Sequence, residues 1–254
     1  MDITGNLPIV VILFFAAILF AAGLVHGTLG LGFPLVATPL LALFVDVRSA
    51  ILITLLPTAA VNIASIIRGG HWRDSIGRYW PLAAFALIGG FLGSTLIVVG
   101  DPAPFKLVLA GLILLYLASG RLGSFKMTWV SQHRIWSMLV FGLVAGVSAG
   151  STNVMVPILI IYALEMGLRT TAMVQVFNLC FLAGKISQIV VFAAAGMLTT
   201  PVLLLTAPLA GVALAALLIG MAFRDRIRGD TFRTLIKWVL FVIALVLIGQ
   251  YFLG

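Results

Sequence analysis

The chain has 254 residues, of which 63% are hydrophobic and 9% charged, against roughly 45–50% and 25% in soluble domains. Charges this sparse exclude a water-soluble globular enzyme and point to an all-α polytopic membrane protein. The net charge of +8 does not argue for nucleic acid, because the basic residues sit in short clusters between apolar runs and so orient membrane spans.

The first apolar segment, residues 8–28, is preceded by Asp2 and by no Lys or Arg, which is the wrong charge for a signal peptide; a retained helix is expected. It runs into GLVHGTLGLGFPLVATPLLALF from Gly23, a stretch broken by small residues before Phe33-Pro34. The second segment, 33–45, covers only about 20 Å at 1.5 Å per residue, against a hydrocarbon core of about 30 Å. It is expected to form a hairpin with the first, its start sunk in the membrane. The third, 49–67, carries Thr54, Thr58, Asn62 and Ser65 within an arc of roughly 80° at 100° per residue, and Pro57 among them predicts a kink. Segments 80–99 and 104–119 complete a first half.

A related series follows at 135–149, 153–164, 170–194, 201–222 and 234–253. GLVAGVSAGSTNVMVPILIIYAL from Gly142 restates the broken motif, with Ala145 as the approximate counterpart of His26. Pro81 with Gly89, Gly90 and Gly93 resembles Pro208 with Gly211 and Gly220, and Phe105-Lys106 resembles Phe232-Arg233. Two halves are thus expected, residues 1–120 and 121–254, each of about five segments. Arg68, Arg73, Arg78, Arg121, Lys126, Arg134, Arg169, Arg224, Arg226, Arg228, Arg233 and Lys237 fall on one side of a ten-span arrangement, and only Arg48 and Lys106 on the other. Twelve against two places the first group in the cytoplasm and both termini outside. An odd number of spans per half inverts the second copy, the architecture in which a midplane site opens alternately to each side.

Interrupted apolar segments mark binding sites, because unwound backbone is tolerated at membrane depth only around a cavity. Gly30 and Gly32 before one short helix, and Ser151, Thr152 and Asn153 as N-caps before the other, are read as two helix starts aimed at each other and at an anion. Gly23, Gly27, Gly142 and Gly146 read better as close helix packing. In the eighth segment Gln175, Asn178, Lys185 and Gln188 fall within about 140° of arc. Lys185 is the one Lys or Arg placed inside a span, and no span holds Asp or Glu to pair with it. An ammonium at depth costs at least about 2.5–3.5 kcal/mol, which an anionic substrate offsets; a snorkelling or neutral lysine is the alternative. His26 is an anion ligand, a proton relay or a histidine bonded to a neighbouring helix. His71 and His133 fall in loops, while Cys180, Trp80, Trp129, Trp136 and Trp238 read as packing or interfacial anchors. A lone cysteine excludes an intrachain disulfide, three scattered histidines supply no metal cluster, and no nucleotide motif is present, so no cofactor is expected.

GTLGLGFPLVATPLLAL and GVSAGSTNVMVPILII together resemble the sulfite exporter TauE/SafE family over essentially the whole chain. The second copy departs from the usual glycine-rich form at Ser151-Thr152-Asn153. The resemblance implies a secondary transporter of sulfite or an organosulfonate such as sulfoacetate, often outward, in a bacterial inner membrane and without enzymatic activity. The expected substrate-binding residues are Lys185, Asn62, Thr58, Gln175, Asn178, Gly30, Gly32, Ser151, Thr152, Asn153 and His26. The expected partners are the small anion and the lipid bilayer, with no nucleic acid; a homo-oligomer is left open. An importer of another small anion and, behind it, a membrane enzyme of sulfur metabolism are the rival readings.

Overall fold

The structure, a computed structural model, describes residues 8–70, 72–73, 75–122, 127–224 and 229–253, with side chains except those of 120–122 and 229–233. His71, Lys126, Arg226 and Arg228 lie outside the described residues, as do the side chains of Arg121, Phe232 and Arg233. The described chain is helical, without strands: α1 (Ile9–Leu29), α2 (Phe33–Ala42), α3 (Val47–Gly69), α4 (Ile76–Val99), α5 (Pro104–Leu122), α6 (Thr128–Gln132), α7 (Arg134–Thr152), α8 (Val156–Glu165), α9 (Thr170–Ala194), α10 (Thr200–Phe223) and α11 (Gly229–Leu253). Seven helices are long and apolar enough to cross a membrane; α2 and α8, at 10 residues each, are not. Ten of the eleven helices match the expected segments, and α6 is an addition that the sequence did not reveal.

Both broken hairpins form because one residue can enter the left-handed region where a helix must stop. Gly30 ends α1 at φ 80 and Gly32 precedes α2 at φ 110, while Asn153 ends α7 at φ 66. Asn is among the few non-glycine residues that visit this region readily. Pro34 and Pro157 then sit at the second helical position, where a missing amide costs nothing.

Small residues set the packing. A Cβ on Gly23 would lie 2.7 Å from the carbonyl oxygen of Ala213, and one on Gly150 would lie 2.5 Å from that of Gly90. Gly27 meets Leu217 and Gly220 in the same way, and Gly146 meets Ala86. Thus α1 runs alongside α10, and α7 alongside α4, each pair in the same direction. The contacts of Gly23 and Gly27 on Ala213 and Gly220 are repeated by Gly146 and Gly150 on Ala86 and Gly93. This pairing makes Ala149, and not Ala145, the counterpart of His26.

The helices α3 and α9 pack antiparallel. Gln175 near the start of α9 donates to the carbonyls of Ile66 (3.2 Å) and Gly70 (2.7 Å) at the end of α3. Farther along α9, Gln188 donates to Ala149 O at 2.8 Å, near the end of α7, whose cap Asn153 reaches back to Thr54 of α3 at 3.0 Å. The loops that follow α3 and α9 therefore lie at opposite ends of the bundle. Polar ties close each end. Arg134 Nη2 donates to the Arg78 carbonyl at 2.6 Å, and the Met127 amide donates to Glu165 at 2.7 Å. At the other end Arg48 donates to Ile97 O at 2.7 Å, while Lys106 donates to Gln250, which donates to Leu43 O.

Candidate functional site

The polar stripe of α3 is wholly buried, and its two ends are tied to different helices. Thr54 accepts from Asn153, and Ser65 shares a 3.0 Å hydrogen bond with His26 Nε2. Between them lie Thr58 and Asn62, both 0% exposed. Neither Thr58 Oγ1 nor either polar atom of the Asn62 side chain has a partner among the described residues. Leaving such groups unmade inside a protein costs about 1–3 kcal/mol each, so they stand out against the satisfied members of the stripe. Pro57 adds to the local polarity, since a proline withdraws the amide that the carbonyl four residues earlier would otherwise receive.

The stripe on α9 carries the buried lysine. Lys185 is 2% exposed, and its Nζ donates to Gln188 Oε1 at 2.6 Å. Gln188 is itself held by Ala149 O and Gly150 O of α7. No carboxylate completes the arrangement among the described residues of these helices. Lys185 lies nine residues before the end of α9, roughly 13 Å in at the usual rise. It stands one turn from Gln188, as Thr58 stands one turn from Thr54, so the two occupy similar depths on antiparallel neighbours.

The amide nitrogens of Gln175 and Asn178 are bound to backbone carbonyls, while Gln175 Oε1 and Asn178 Oδ1 are buried without a hydrogen-bond partner among the described residues. Gln175 caps the end of α3, and Asn178 donates to Gly30 O at 3.1 Å and to Val174 O at 2.8 Å. Asn178 holds the first hairpin in place, and Gln175 ties α9 to the end of α3. His26 belongs with them: its Nδ1 accepts the Phe33 amide at 3.2 Å, which leaves Nε2 to carry the proton and donate to Ser65. Gly30 and Gly32 thus lie at a junction staffed by His26, Ser65 and Asn178.

The second hairpin departs from expectation. Ser151 and Thr152 are not N-caps of α8. They form the last turn of α7, with hydroxyls donating to Val147 O at 2.8 Å and Ser148 O at 2.7 Å, and Met155 is the residue that precedes α8. Hydroxyl side chains bond back to their own helix as readily as they cap the next one. Asn153 is likewise the C-cap of α7, and its amide donates to Thr38 at 2.7 Å. Thr38 stands midway along α2, so the turn between α7 and α8 is tied to the middle of α2. One amide of the α2 start is already taken by His26, and Pro34 has none. Sequence reading passed over Thr38, although a polar residue between Pro34 and Pro39 in an otherwise apolar segment is a usable signal.

The residues of both stripes are buried. A recess of about 700 Å³ lies elsewhere, at the end of the bundle lined by Leu43, Asp46, Lys106 and Gln250. No group of His, Cys, Asp and Glu among the described residues can hold a metal ion. The two stripes carry a buried lysine amine, a hydroxyl and a carboxamide, hydrogen-bond donors of the kind that suit an oxyanion.

No curated protein and no solved structure matches the chain. The family model described as sulfite exporter TauE/SafE matches residues 15–247, a range that holds both broken hairpins and both polar stripes. With seven membrane-length helices, five of them wholly within that match, the chain is a multi-pass membrane protein that belongs to the sulfite exporter TauE/SafE family of transporters.

Proposed function

We propose that this protein is a secondary transporter that moves a small sulfur-containing anion, sulfite or an organosulfonate such as sulfoacetate, outward across the bacterial inner membrane. The observation that carries this reading is Lys185, a buried amine whose hydrogen-bond partner is the neutral Gln188, on a helix packed against α3, where Thr58 and Asn62 are buried without partners among the described residues. A sulfonate group spreads one negative charge over three oxygens and stays ionised near neutral pH. It would accept from Lys185 Nζ, Thr58 Oγ1 and Asn62 Nδ2, and so offset the burial of all three. Two inverted repeats, residues 1–120 and 121–254, supply alternating access by rocking about this site. The antiparallel α3–α9 pair and the exchanged partners α1–α10 and α7–α4 support that inversion.

Thermal unfolding of the purified full chain in detergent tests the reading. Sulfite or a sulfonate at a hundredfold excess over its Kd adds about 2.7 kcal/mol of apparent stability. Lys185→Gln removes a charge-assisted bond of about 1.5–3 kcal/mol and weakens that binding by about 10- to 150-fold. A panel in which no sulfur anion stabilises the native chain, or in which Lys185→Gln responds as the native chain does, rules the site out.

A further inference from the structure

We infer that the recess at the end of the bundle is a binding site for a zwitterionic phospholipid whose headgroup joins a phosphate to a primary ammonium, as in phosphatidylethanolamine. This site is separate from the buried stripes and does not depend on which anion they take.

The recess, of about 700 Å³, lies where the loop between α2 and α3 meets the start of α5 and the end of α11. Its walls carry one basic and one acidic side chain, Lys106 and Asp46, both half-buried. Among the described residues neither has an ion-pair partner, and they do not pair with each other. Lys106 Nζ donates to Gln250 Oε1 at 3.2 Å, and Gln250 Nε2 donates to Leu43 O at 3.0 Å. The lysine head is thus held at the recess with two donors to spare. Asp46 Oδ1 accepts from the Ser49 amide at 3.0 Å and Oδ2 from the Ser49 hydroxyl at 2.6 Å, which leaves a lone pair on each oxygen. Arg48, at the same end, is turned onto the carbonyls of Ile97 and Gly100 and does not line the recess.

The remaining walls are apolar and continue onto the outside of the bundle. Phe44, Val246 and Leu253 are all exposed, and Phe44 packs edge-on against the exposed Phe14 of α1 at 4.8 Å between ring centroids. The apolar stretch Thr234–Leu253 of α11 has 20 residues, about 30 Å at the usual rise and the thickness of a hydrocarbon core. Its last turn therefore lies at headgroup level, where the exposed Tyr251 is the expected kind of aromatic anchor.

Charge selects among lipids. Sites for anionic headgroups gather several Lys and Arg, whereas this recess has one charge of each sign. A phosphodiester takes Lys106, the ammonium of the same headgroup takes Asp46, and the acyl chains follow Phe44 and α11. A phosphatidylglycerol headgroup brings no cation to Asp46. A choline headgroup has the matching charges and no N–H to donate to the carboxylate. A small soluble ion would leave the apolar walls uncovered.

The test offers dioleoyl phosphatidylethanolamine, phosphatidylglycerol or phosphatidylcholine to the delipidated full chain in detergent, with binding read by native mass spectrometry and thermal stabilisation. Phosphatidylethanolamine binds at least about tenfold more tightly than the other two. Lys106→Gln weakens it about tenfold, the low end for a charge-assisted bond because the recess is open. Asp46→Asn keeps a capping residue on α3 and brings phosphatidylglycerol level with phosphatidylethanolamine or ahead of it. Equal binding of the three lipids by the native chain, or an Asp46→Asn chain that keeps the native order, overturns the site. Glycerophosphoethanolamine, the same headgroup without acyl chains, binds at least about tenfold more weakly than the lipid. Equal affinity for it would make the recess a site for a soluble zwitterion and overturn the lipid. Should Asp46→Asn fail to fold, the native order and Lys106→Gln still decide.

Discussion

At the scale of single residues, His26 shows how position can exclude a role that residue type invites. An imidazole near a broken membrane helix is an obvious proton carrier, yet its Nδ1 is held by the Phe33 amide and its Nε2 proton by Ser65. Gaining a second proton would put an N–H against the Phe33 N–H and break the junction between α1 and α2. His26 is therefore a positioning residue. His26→Ala leaves the Phe33 amide and Ser65 without partners and lowers stability by about 1–3 kcal/mol, read as a fall in Tm in detergent. A folded His26→Gln variant keeps the pH profile of sulfonate flux; a shifted profile would make the imidazole a proton carrier after all. The same logic explains how far the site was legible. Lys185, Thr58 and Asn62 stood out in the sequence as polar residues on apolar helices at helical spacing. Asn178 and Gln175 carried the same signal, and only tertiary packing shows that they cap the Gly30 and Gly70 carbonyls.

At the scale of elements, glycines decide which helices can approach. Gly27 lies against the backbone of α10 at Leu217, Gly220 and Met221, with no flexible side chain to give way. Gly27→Leu forces α1 and α10 apart and abolishes flux, with a loss of several kcal/mol typical of overpacked cores, of the order of 1–3 kcal/mol or more. Gly111 in α5 has open space around its Cβ position, so Gly111→Ala is neutral or stabilises by up to about 1 kcal/mol through helix propensity. Thermal denaturation of the two variants side by side checks the contrast; equal loss would mean that the close α1–α10 approach is not what the glycine provides. Helix existence was legible throughout because each apolar run is long and bounded by charge or glycine. The end of α7 was not. Ser148, Ser151 and Thr152 suit a cap and a helix terminus alike, and the carbonyls of Val147 and Ser148 claimed the hydroxyls of Ser151 and Thr152.

At the scale of the whole molecule, the inverted repeats proposed above require that the loops after α3 and α9 leave the bundle on opposite faces. The ties show this within the fold: Gln175 binds Gly70, so the start of α9 shares an end with the finish of α3, and α9 finishes at the other end. Arg78 and Arg134 share the first end, whereas Arg48 and Lys106 are bound at the second. Single cysteines then report orientation directly. Trp72 and Gly196 are both exposed, in the loops after α3 and α9, while the native Cys180 is buried and shielded from a membrane-impermeant thiol reagent. In intact cells Gly196→Cys reacts with such a reagent and Trp72→Cys reacts only after the membrane is opened, because the basic end is retained inside. Reaction of both from one face would mean that the two halves share an orientation, and the exchange of α1–α10 for α7–α4 contacts would then need another origin than a two-fold axis in the membrane plane.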